Sequence, residues 1–366
     1  MTATAATLAG AYDLVIFDLD GVVYLGSQPI PGAAEAIATT VEGGTPVAYV
    51  TNNASRRAPE VAELLRSMGV PARDDEVLTS ARAAAEMLAE DLPAGAPVFV
   101  VGAPALREEV AAVGLRVAEA KERPAAVVQG YGPDVSWRDL AEACVAIRAG
   151  ARWVVTNLDA TLPSPRGPLP GNGSLVAALR TALGGRGPDL VVGKPEPALF
   201  HIAATHIAAK RVLVVGDRLD TDIEGAVRAG MDSLLVLTGV STAADVLRAA
   251  AHERPTHLAA DCSALSTPED QAAIPPWQDG RARADGWQVT YADRRLVLSR
   301  DGAGRAGGAM PDRHEAASAV RALAAASWAQ PDWIAIEPVG PAAEAALAVV
   351  GLDRYEGWEV TAAYGA

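Results

Sequence analysis

The chain has 366 residues, half of them hydrophobic, and carries 31 lysines and arginines against 45 aspartates and glutamates, a formal net charge of −14 at pH 7. Its length predicts two domains or three, because a single hydrophobic core stops growing at about 250–300 residues. The acidic balance argues against a nucleic-acid partner, since binding a phosphate backbone needs clustered basic side chains. A small phosphate ester, which needs only a local positive site, remains allowed.

Cysteine content and hydropathy favour an intracellular location. The two cysteines, Cys144 and Cys262, form no C-x-x-C pair and are too few for a disulfide framework. The first residues lack the basic and apolar regions of a secretory signal, and no run approaches the about 20 apolar residues of a membrane helix. We expect a cytoplasmic protein with no membrane partner, and a homodimer is compatible with the sequence.

Short apolar runs alternate with helix-length segments through the first part of the chain. Leu14–Phe17 is such a run and ends at Asp18, which is typical of a buried parallel strand. A helix is predicted from residue 32 to about 42, and a second run at 47–50 ends at Thr51. This alternation predicts a doubly wound parallel α/β sheet of the Rossmann type.

Further apolar runs occur at residues 98–101, 125–128, 153–156, 190–192 and 211–215. The number of predicted strands exceeds that of an average sheet, so we expect the middle of the chain to form a sheet of its own. Residues 266–284 are rich in Pro, Gly and charge and predict a linker. A hairpin over 287–291 and 295–299, a helix over 314–328 and a strand over 333–336 then predict a small α+β domain.

Acidic residues follow two of the predicted strands. Asp18 and Asp20 come directly after the first strand, and Asp217 and Asp222 follow the run at 211–215. Ligands of doubly wound sheets bind at the carboxyl ends of strands, and a divalent cation removes the repulsion between neighbouring carboxylates. Oxygen ligands of this kind suit Mg²⁺. The alternative is that each acidic cluster only caps a helix.

Two more polar features lie at predicted strand ends. Thr51 is followed by Asn52 and Asn53, and backbone N–H groups at such a turn before a helix offer an anion site. Lys194 stands between Gly193 and Pro195, where it could neutralise a carboxylate and phosphate oxygens. Taken alone, a strand-ending Thr is more often a cap, and a lone Lys is more often solvated.

Together these residues resemble a known pattern. Asp18-x-Asp20-Gly21, Thr51, Lys194, and Gly216-Asp217 with Asp222 are similar, in this order, to the four motifs of the haloacid dehalogenase superfamily. The long insertion between the second and third motifs resembles the class IIA branch, as do Thr51-Asn52-Asn53, Pro170-Gly171-Asn172-Gly173 and Val192-Gly193-Lys194-Pro195. That branch includes para-nitrophenylphosphatase-like enzymes and phosphatases of phosphoglycolate, glycerol 3-phosphate and pyridoxal phosphate. The resemblance covers about residues 12–262.

The resemblance implies a magnesium-dependent phosphomonoesterase. Asp18 would be the nucleophile and Asp20 the general acid and then base, while Thr51, with the Asn52–Asn53 turn, would bind phosphate and Lys194 would hold charge at the phosphoryl group. Mg²⁺ would be held by Asp18, Asp20 through its carbonyl, and Asp217, with Asp222 orienting these ligands. The presence of an acid at position 20 favours phosphate hydrolysis over dehalogenation.

The resemblance also implies a division into domains. The catalytic core would comprise residues 1–81 and 187–265, and an inserted α/β cap residues 82–186. The resemblance does not reach the small C-terminal domain predicted over residues 285–366. In class II members the cap covers the active site and selects the leaving group. A cap loop would contribute Asn157, Asp159 and Leu162 to substrate binding.

Substrate choice depends on the residue at position 162. Relatives that hydrolyse pyridoxal phosphate carry a His there, and Leu162 favours a small aliphatic phosphate, with glycerol 3-phosphate first. Phosphoglycolate, pyridoxal phosphate and nucleoside monophosphates are the alternatives. Leu162 could equally pack within the cap, and Asn157 and Asp159 could be turn-formers.

The C-terminal part loosely resembles a portion of a GNAT acetyltransferase. Residues 305–310 only approximate the glycine-rich pyrophosphate loop of that family. Five tryptophans, at 277, 287, 328, 333 and 358, predict a packing surface against the core or a partner. An accessory role is therefore preferred for the C-terminal part. Two alternative functions of the whole chain are a phosphotransferase, which would pass the aspartyl phosphate to another acceptor, and a regulatory or binding protein that uses the GNAT-like region.

Overall fold

The computed structural model of the chain describes residues 7–26, 28–162, 167–301, 310–354 and 359–360. It contains one six-stranded sheet, two five-stranded sheets and two short two-stranded ribbons. Within these residue ranges no helix combines the length and the apolar character needed to span a bilayer. The acidic and polar strand ends identified in the sequence lie on the six-stranded sheet.

The helices and strands follow one another in four stretches of the chain. The first contains β1 (Leu14–Phe17), β2 (Tyr24–Leu25), β3 (Gln28–Pro29), α1 (Ala33–Glu42), β4 (Val47–Thr51), α2 (Ala58–Ser67), β5 (Val77–Thr79) and α3 (Ser80–Asp91). The second contains β6 (Pro97–Val101), α4 (Pro104–Ala112), β7 (Arg116–Val117), β8 (Ala126–Gln129), α5 (Trp137–Arg148), β9 (Arg152–Val155), β10 (Thr161–Leu162), β11 (Leu169–Pro170), α6 (Asn172–Ala182) and β12 (Leu190–Val191). The third contains α7 (Ala198–His206), β13 (Val212–Gly216), α8 (Glu224–Ala229), β14 (Asp232–Val236), α9 (Ala243–Arg248), β15 (His257–Ala259) and α10 (Glu269–Ala272). The last contains β16 (Arg281–Ala284), β17 (Trp287–Ala292), β18 (Arg295–Arg300), α11 (Arg313–Ala329), β19 (Ala335–Val339), α12 (Pro341–Val349) and β20 (Glu359–Val360).

The core sheet has the strand order β15-β14-β13-β1-β4-β5, and every neighbouring pair is parallel. Phe17 of β1 lies opposite Val215 of β13 and Tyr49 of β4. All four residues of β1 are buried, because helices cover both faces of a parallel sheet. The predicted doubly wound sheet is therefore confirmed, with β1 at its centre.

The insertion forms a parallel five-stranded sheet of its own, in the order β12-β9-β8-β6-β7. Leu190 of β12 pairs with Val154 of β9, so this cap sheet extends beyond residue 186, and the end predicted there is wrong by one strand. The predicted start at residue 82 falls inside α3, which packs on α4 of the insertion and on β5 and α7 of the core. Because α3 serves both units, the first boundary is a shared helix.

The C-terminal sheet has the order β16-β17-β18-β19-β20, antiparallel through β18 and parallel after it. The predicted hairpin, helix and strand are present as β17–β18, α11 and β19. The linker predicted over residues 266–284 is wrong, because α10 and β16 lie inside it and Ala282 of β16 is buried. Residues 302–309, which include most of the proposed pyrophosphate loop, lie outside the described residues.

One hydrophobic cluster joins the C-terminal domain to the core. Trp287 and the buried face of α11 share it with Val246 and Leu247 of α9. Arg321 of α11 is 4% exposed and donates a hydrogen bond of 2.9 Å to the Leu258 carbonyl of β15. The tryptophans at 277, 287, 328 and 333 lie in or against this cluster, whereas Trp358 is outside the described residues. The predicted packing surface faces the core.

Candidate active site

The carboxyl ends of three neighbouring strands bring the predicted catalytic residues to one edge of the core sheet. Asp18 directly follows β1, Asp217 directly follows β13, and Thr51 is the last residue of β4. The Asp18 N–H donates to the Val215 carbonyl at 2.9 Å, which extends the pairing of β1 and β13 by one residue. The buried, regularly paired strands thus hold these side chains on a rigid base.

A buried lysine lies between two carboxylates at this edge. Lys194 is 4% exposed, and its Nζ donates to Asp18 Oδ1 and, at 2.7 Å, to Asp222 Oδ1. The second oxygen of Asp222 accepts the Arg218 N–H at 3.1 Å, within the π-helical turn that follows β13. Both oxygens of Asp222 are therefore committed to fixing Lys194 and its own loop.

The charges of this cluster do not balance. Carboxylate oxygens of Asp18, Asp217 and Asp222 lie within 4.8 Å of one another, and Lys194 supplies one positive charge against these three acids. Burial raises the pKa of Asp18 well above its ordinary value; the Lys194 charge opposes this shift, and Asp222 and Asp217 add to it. Burial, followed by the Asp222 charge, raises the pKa of Asp217 to about 7. The site is thus electrostatically prepared for an additional cation.

The pKa of Lys194 is set by the same contacts. Burial alone would lower it, but the Asp18 and Asp222 carboxylates raise the pKa of Lys194 above its ordinary value. Its ammonium group is therefore charged at neutral pH and can hold negative charge at the site.

Asp217 has the surroundings of a metal ligand. Its Oδ2 accepts the Val240 N–H at 2.7 Å, whereas its buried Oδ1 has no hydrogen-bond partner within the described part of the chain. A Cβ atom at Gly21 would lie 2.3 Å from Asp217 Oδ2, and one at Gly239 would lie 2.0 Å from it, so only glycine fits at these two positions. An unpartnered buried oxygen among oxygen donors fits a divalent cation.

Asp20 is the exposed acid of the pair that follows β1. Although the residue as a whole is exposed, protein atoms around its carboxyl group desolvate it and raise its pKa, while the charges of Lys194 and Arg56 partly oppose the shift. A carboxyl group that is reachable from solvent and has a raised pKa is suited to giving and taking a proton.

The turn after β4 contacts the main chain of Lys194. Asn52 donates from Nδ2 to the Lys194 carbonyl at 3.1 Å and accepts the Lys194 N–H on Oδ1 at 2.8 Å. The Thr51 hydroxyl oxygen accepts the Asn53 N–H at 3.1 Å. The Asn53 side chain turns the other way, since its Oδ1 accepts from the N–H and the hydroxyl of Ser55.

Two of the three predicted cap residues reach this turn. Asn157 donates to the Asn52 carbonyl at 2.7 Å, and both carboxylate oxygens of Asp159 lie 3.3 Å from Asn52 Nδ2. Leu162 lies half-buried on the β10–β11 ribbon, where it pairs with Leu169, and it belongs to none of the four hydrophobic clusters found among the described residues. The role of Leu162 in substrate choice stays a prediction.

Several residues that support the site were not predicted from the sequence. The Val240 N–H binds Asp217, the Thr238 hydroxyl donates to the Gly21 carbonyl at 2.6 Å, and the Ser80 hydroxyl donates to the Asn52 carbonyl at 2.6 Å. Thr238 and Val240 follow β14, at the same edge of the core sheet as Asp217. Their position after a fourth strand was the available signal.

Two family models match separate parts of the chain, one before and one after the middle of the inserted cap. A model described as haloacid dehalogenase-like hydrolase matches residues 15–116, and one described as HAD-hydrolase-like matches residues 191–265. The first match contains Asp18, Asp20 and Thr51, and the second contains Lys194 and Asp217.

Relatives and solved structures extend the similarity beyond the core. A D-glycerol 3-phosphate phosphatase of Mycobacterium tuberculosis is 45% identical over 326 residues, which cover 88% of this chain and 87% of that one. The crystal structure of a glycerol phosphate phosphatase from Mycobacterium tuberculosis in complex with magnesium has a TM-score of 0.83 at 44% identity, covering 95% of this chain and 100% of that chain. A 4-nitrophenylphosphatase from Thermotoga maritima has a TM-score of 0.66 at 33% identity, covering 71% of this chain and 98% of that chain.

The matched structures differ in whether they include a counterpart of the C-terminal domain. A match covering 95% of the chain must include most of the C-terminal sheet, whereas the one covering 71% of the chain already spans nearly the whole 4-nitrophenylphosphatase. The strand-end acids, the buried lysine and the inserted parallel cap agree with these matches. The chain belongs to the haloacid dehalogenase-like hydrolases, in the class IIA branch of phosphatases.

Proposed function

We propose that this chain is a magnesium-dependent phosphatase whose substrate is glycerol 3-phosphate. The observation that carries the substrate is the similarity to a D-glycerol 3-phosphate phosphatase over 88% of the chain. The cluster of Asp18, Lys194 and Asp217 supports the reaction, because it combines a carboxylate nucleophile with fixed positive charge and an unpartnered carboxylate oxygen.

The first step transfers the phosphoryl group to the protein. A carboxylate oxygen of Asp18 attacks phosphorus, a new O–P bond forms, and the bond from phosphorus to the glycerol oxygen breaks. Asp20 gives its proton to that oxygen, so that glycerol leaves as a neutral alcohol. Lys194, held by Asp222, stays charged beside the phosphoryl oxygens, and Thr51 and the Asn52 N–H bind them.

The second step releases phosphate. Asp20, now ionised, takes a proton from a water molecule, whose oxygen attacks the phosphorus of the aspartyl phosphate. The bond between phosphorus and the Asp18 oxygen breaks, which restores the carboxylate and frees inorganic phosphate. Splitting hydrolysis into two displacements lowers the barrier of each.

Asp18, Asp217 and the Asp20 carbonyl would hold Mg²⁺, with Asp222 orienting the cluster. The ion supplies positive charge that stabilises the phosphoryl oxygens in both displacements. The unbalanced acids and the unpartnered Asp217 Oδ1 support this assignment.

The proposal is tested by measuring phosphate release from glycerol 3-phosphate, phosphoglycolate, pyridoxal phosphate and nucleoside monophosphates, with Mg²⁺ and with a chelator. We expect the highest kcat/KM for glycerol 3-phosphate and loss of release from every ester when the metal is removed. A higher kcat/KM for another ester would show that glycerol 3-phosphate is not the preferred substrate. Full activity in the chelator would show that the reaction does not require the metal.

We expect Leu162→His to shift the substrate preference toward pyridoxal phosphate. An imidazole can hydrogen-bond or stack on the pyridine ring, whereas a Leu side chain offers only apolar contact, and one such contact changes selectivity by roughly 1–3 kcal/mol, or about 5–150-fold. The measurement is the ratio of kcat/KM for pyridoxal phosphate to that for glycerol 3-phosphate. Leu183→His, at a half-buried leucine after α6, is the matched control and should leave this ratio unchanged. An unchanged ratio in Leu162→His would place residue 162 outside the leaving-group site.

A further inference from the structure

The side chain of Asn52 holds both main-chain groups of Lys194. Its carboxamide accepts the Lys194 N–H at 2.8 Å and donates to the Lys194 carbonyl at 3.1 Å, so one planar group satisfies the donor and the acceptor of one residue. The approach is close: a Cβ at Gly193 would lie 2.7 Å from Asn52 Oδ1. The peptide on either side of Lys194 is thereby fixed to the turn after β4.

Lys194 lies in the segment that leads from the cap back to the core. It stands three residues after Val191, the last residue of cap strand β12, and four residues before Ala198, where core helix α7 begins. The Val192 N–H still bonds to the Val155 carbonyl of β9 at 3.0 Å. The lysine that contacts Asp18 is therefore carried by the segment through which the cap returns to the core.

The cap meets the core at the same asparagine. Asp159, in the loop after β9, lies 3.3 Å from Asn52 Nδ2, and Asn157 donates to the Asn52 carbonyl at 2.7 Å. Asn172, at the start of α6, donates in turn to the Asn157 carbonyl at 2.8 Å. The Asn52 amide group thus contacts Lys194 on one side and the cap loop on the other.

We propose that Asn52 is a positioning residue that fixes the main chain of Lys194, and through it the ammonium group beside Asp18, when the cap loop is seated on the core. The proposal rests on the proposed phosphatase function and deepens it. Asn52 then acts through its side chain, in addition to the phosphate contact expected of its backbone. A displacement of a catalytic group by about 1 Å can lower a rate about 100-fold, so a two-point hold on Lys194 matters for turnover.

The chain provides a matched control for this hold. The Thr256 hydroxyl accepts the Ser233 N–H at 2.7 Å and donates to the Ser233 carbonyl at 2.8 Å. It makes the same two-point contact with one residue's main chain, between β14 and β15 and near the start of β14, at the edge of the sheet opposite the site. Thr256→Ala and Asn52→Ala each remove one such hold.

The kinetic test compares the two variants on glycerol 3-phosphate and on para-nitrophenyl phosphate. We expect Asn52→Ala to lower kcat about 10–100-fold with a change in KM of less than about threefold, and Thr256→Ala to leave both constants near the wild-type values. Asn52→Asp keeps the acceptor and the volume but loses the donor, and we expect its kcat to fall about tenfold or more. Comparable melting temperatures of Asn52→Ala and Thr256→Ala would exclude general destabilisation as the cause.

A second measurement needs no substrate. The sequence contains three lysines, and Lys121 and Lys210 are exposed whereas Lys194 is buried. Labelling of the folded protein with an amine reagent, followed by peptide mass spectrometry, therefore reports on Lys194 with two internal references. We expect labelling of Lys194 to rise at least about fivefold in Asn52→Ala and to stay at the wild-type level in Thr256→Ala, because the protection of a buried group reflects its local opening.

The positioning role would be overturned if Lys194 in folded Asn52→Ala were labelled only as much as in the wild-type protein, or if the kcat of Asn52→Ala were unchanged. A failure of the proposed function would be seen in the wild-type protein itself, in its activity on the two esters. If the wild-type protein hydrolysed para-nitrophenyl phosphate but not glycerol 3-phosphate, the substrate would be wrong and the kinetic test would still apply. If it hydrolysed neither ester, the labelling comparison would decide the role of Asn52 by itself.

Discussion

Asp18→Asn is expected to lower phosphate release by about 10³-fold or more while the protein stays folded. The amide oxygen has nearly the shape of the carboxylate oxygen but is a poor nucleophile, and losing a nucleophile removes the covalent route as a whole. The amide can still accept the hydrogen bond that Lys194 Nζ donates to Asp18 Oδ1. The loss should therefore appear in kcat, without a fall in the melting temperature.

The stability of this variant should even rise in the absence of metal. Asp18 is crowded by the Asp222 and Asp217 carboxylates, and its pKa is raised by burial, so a neutral side chain costs less there than a charged one. Selection for a strained, charged site at the expense of stability is common in enzymes.

Kinetics in the presence of Mg²⁺ test the loss of activity, and thermal unfolding in a chelator tests the gain in stability. Asp270→Asn, at an exposed aspartate of α10, is the control for the loss of one negative charge and should keep full activity. Residual activity of Asp18→Asn above about one tenth of the wild-type value would mean that Asp18 is not the nucleophile.

The core sheet and the strand-end side chains could be predicted because their signals are local. The run Leu14–Phe17 is wholly apolar because both faces of β1 are covered, and Asp18 follows it where the strand leaves the sheet. Thr51 and Asp217 stand in the same relation to β4 and β13. A buried parallel strand and its polar end are adjacent in the sequence.

Contacts between distant segments left no comparable signal. Residues 142 positions apart meet in the two hydrogen bonds between Asn52 and Lys194, and the sequence gives no direction for an amide side chain. Asp217 meets Gly239 and Val240 only after β14 has returned the chain to the same edge. Such contacts depend on the strand order, which the sequence alone left open.

The misassigned linker shows how composition can hide a strand. In Arg281-Ala282-Arg283-Ala284 every second residue is an arginine, so the mean polarity resembles that of a loop. The alternation nevertheless has the period of a strand, and Ala282 is 1% exposed whereas Arg281 and Arg283 face solvent. Alanine buries little area, so its pattern is weak in hydropathy even when its burial is complete.

Lys194→Met is expected to have the other large effect, on turnover and on stability together. Met has nearly the length of Lys but no charge, so Asp18 and Asp222 lose the ammonium group that they share. Removing preorganised positive charge from a phosphoryl site should lower kcat about 10²–10³-fold. Leaving two buried carboxylates unpaired should lower the free energy of unfolding by about 3 kcal/mol at neutral pH in the absence of metal.

The size of the stability loss should depend on pH. Burial and the neighbouring acids already raise the pKa of Asp18 in the folded protein, and removing Lys194 raises it further, because the Lys194 charge is what lowers it. A group whose pKa is higher in the folded than in the unfolded state stabilises the fold at low pH and loses that contribution as the pH rises through the folded pKa. The difference in unfolding free energy between Lys194→Met and the wild type should therefore be small at pH 5 and large at pH 8.

Denaturant unfolding at these two pH values, with and without Mg²⁺, measures the effect. Mg²⁺ should stabilise Lys194→Met more than the wild type, since the cation then neutralises three acids without competition from an ammonium group. Lys210→Met, at an exposed lysine, is the control and should match the wild type in every condition. A stability loss that is equal at pH 5 and pH 8, or that Mg²⁺ does not reduce, would mean that Lys194 stabilises the site by packing and not by its charge.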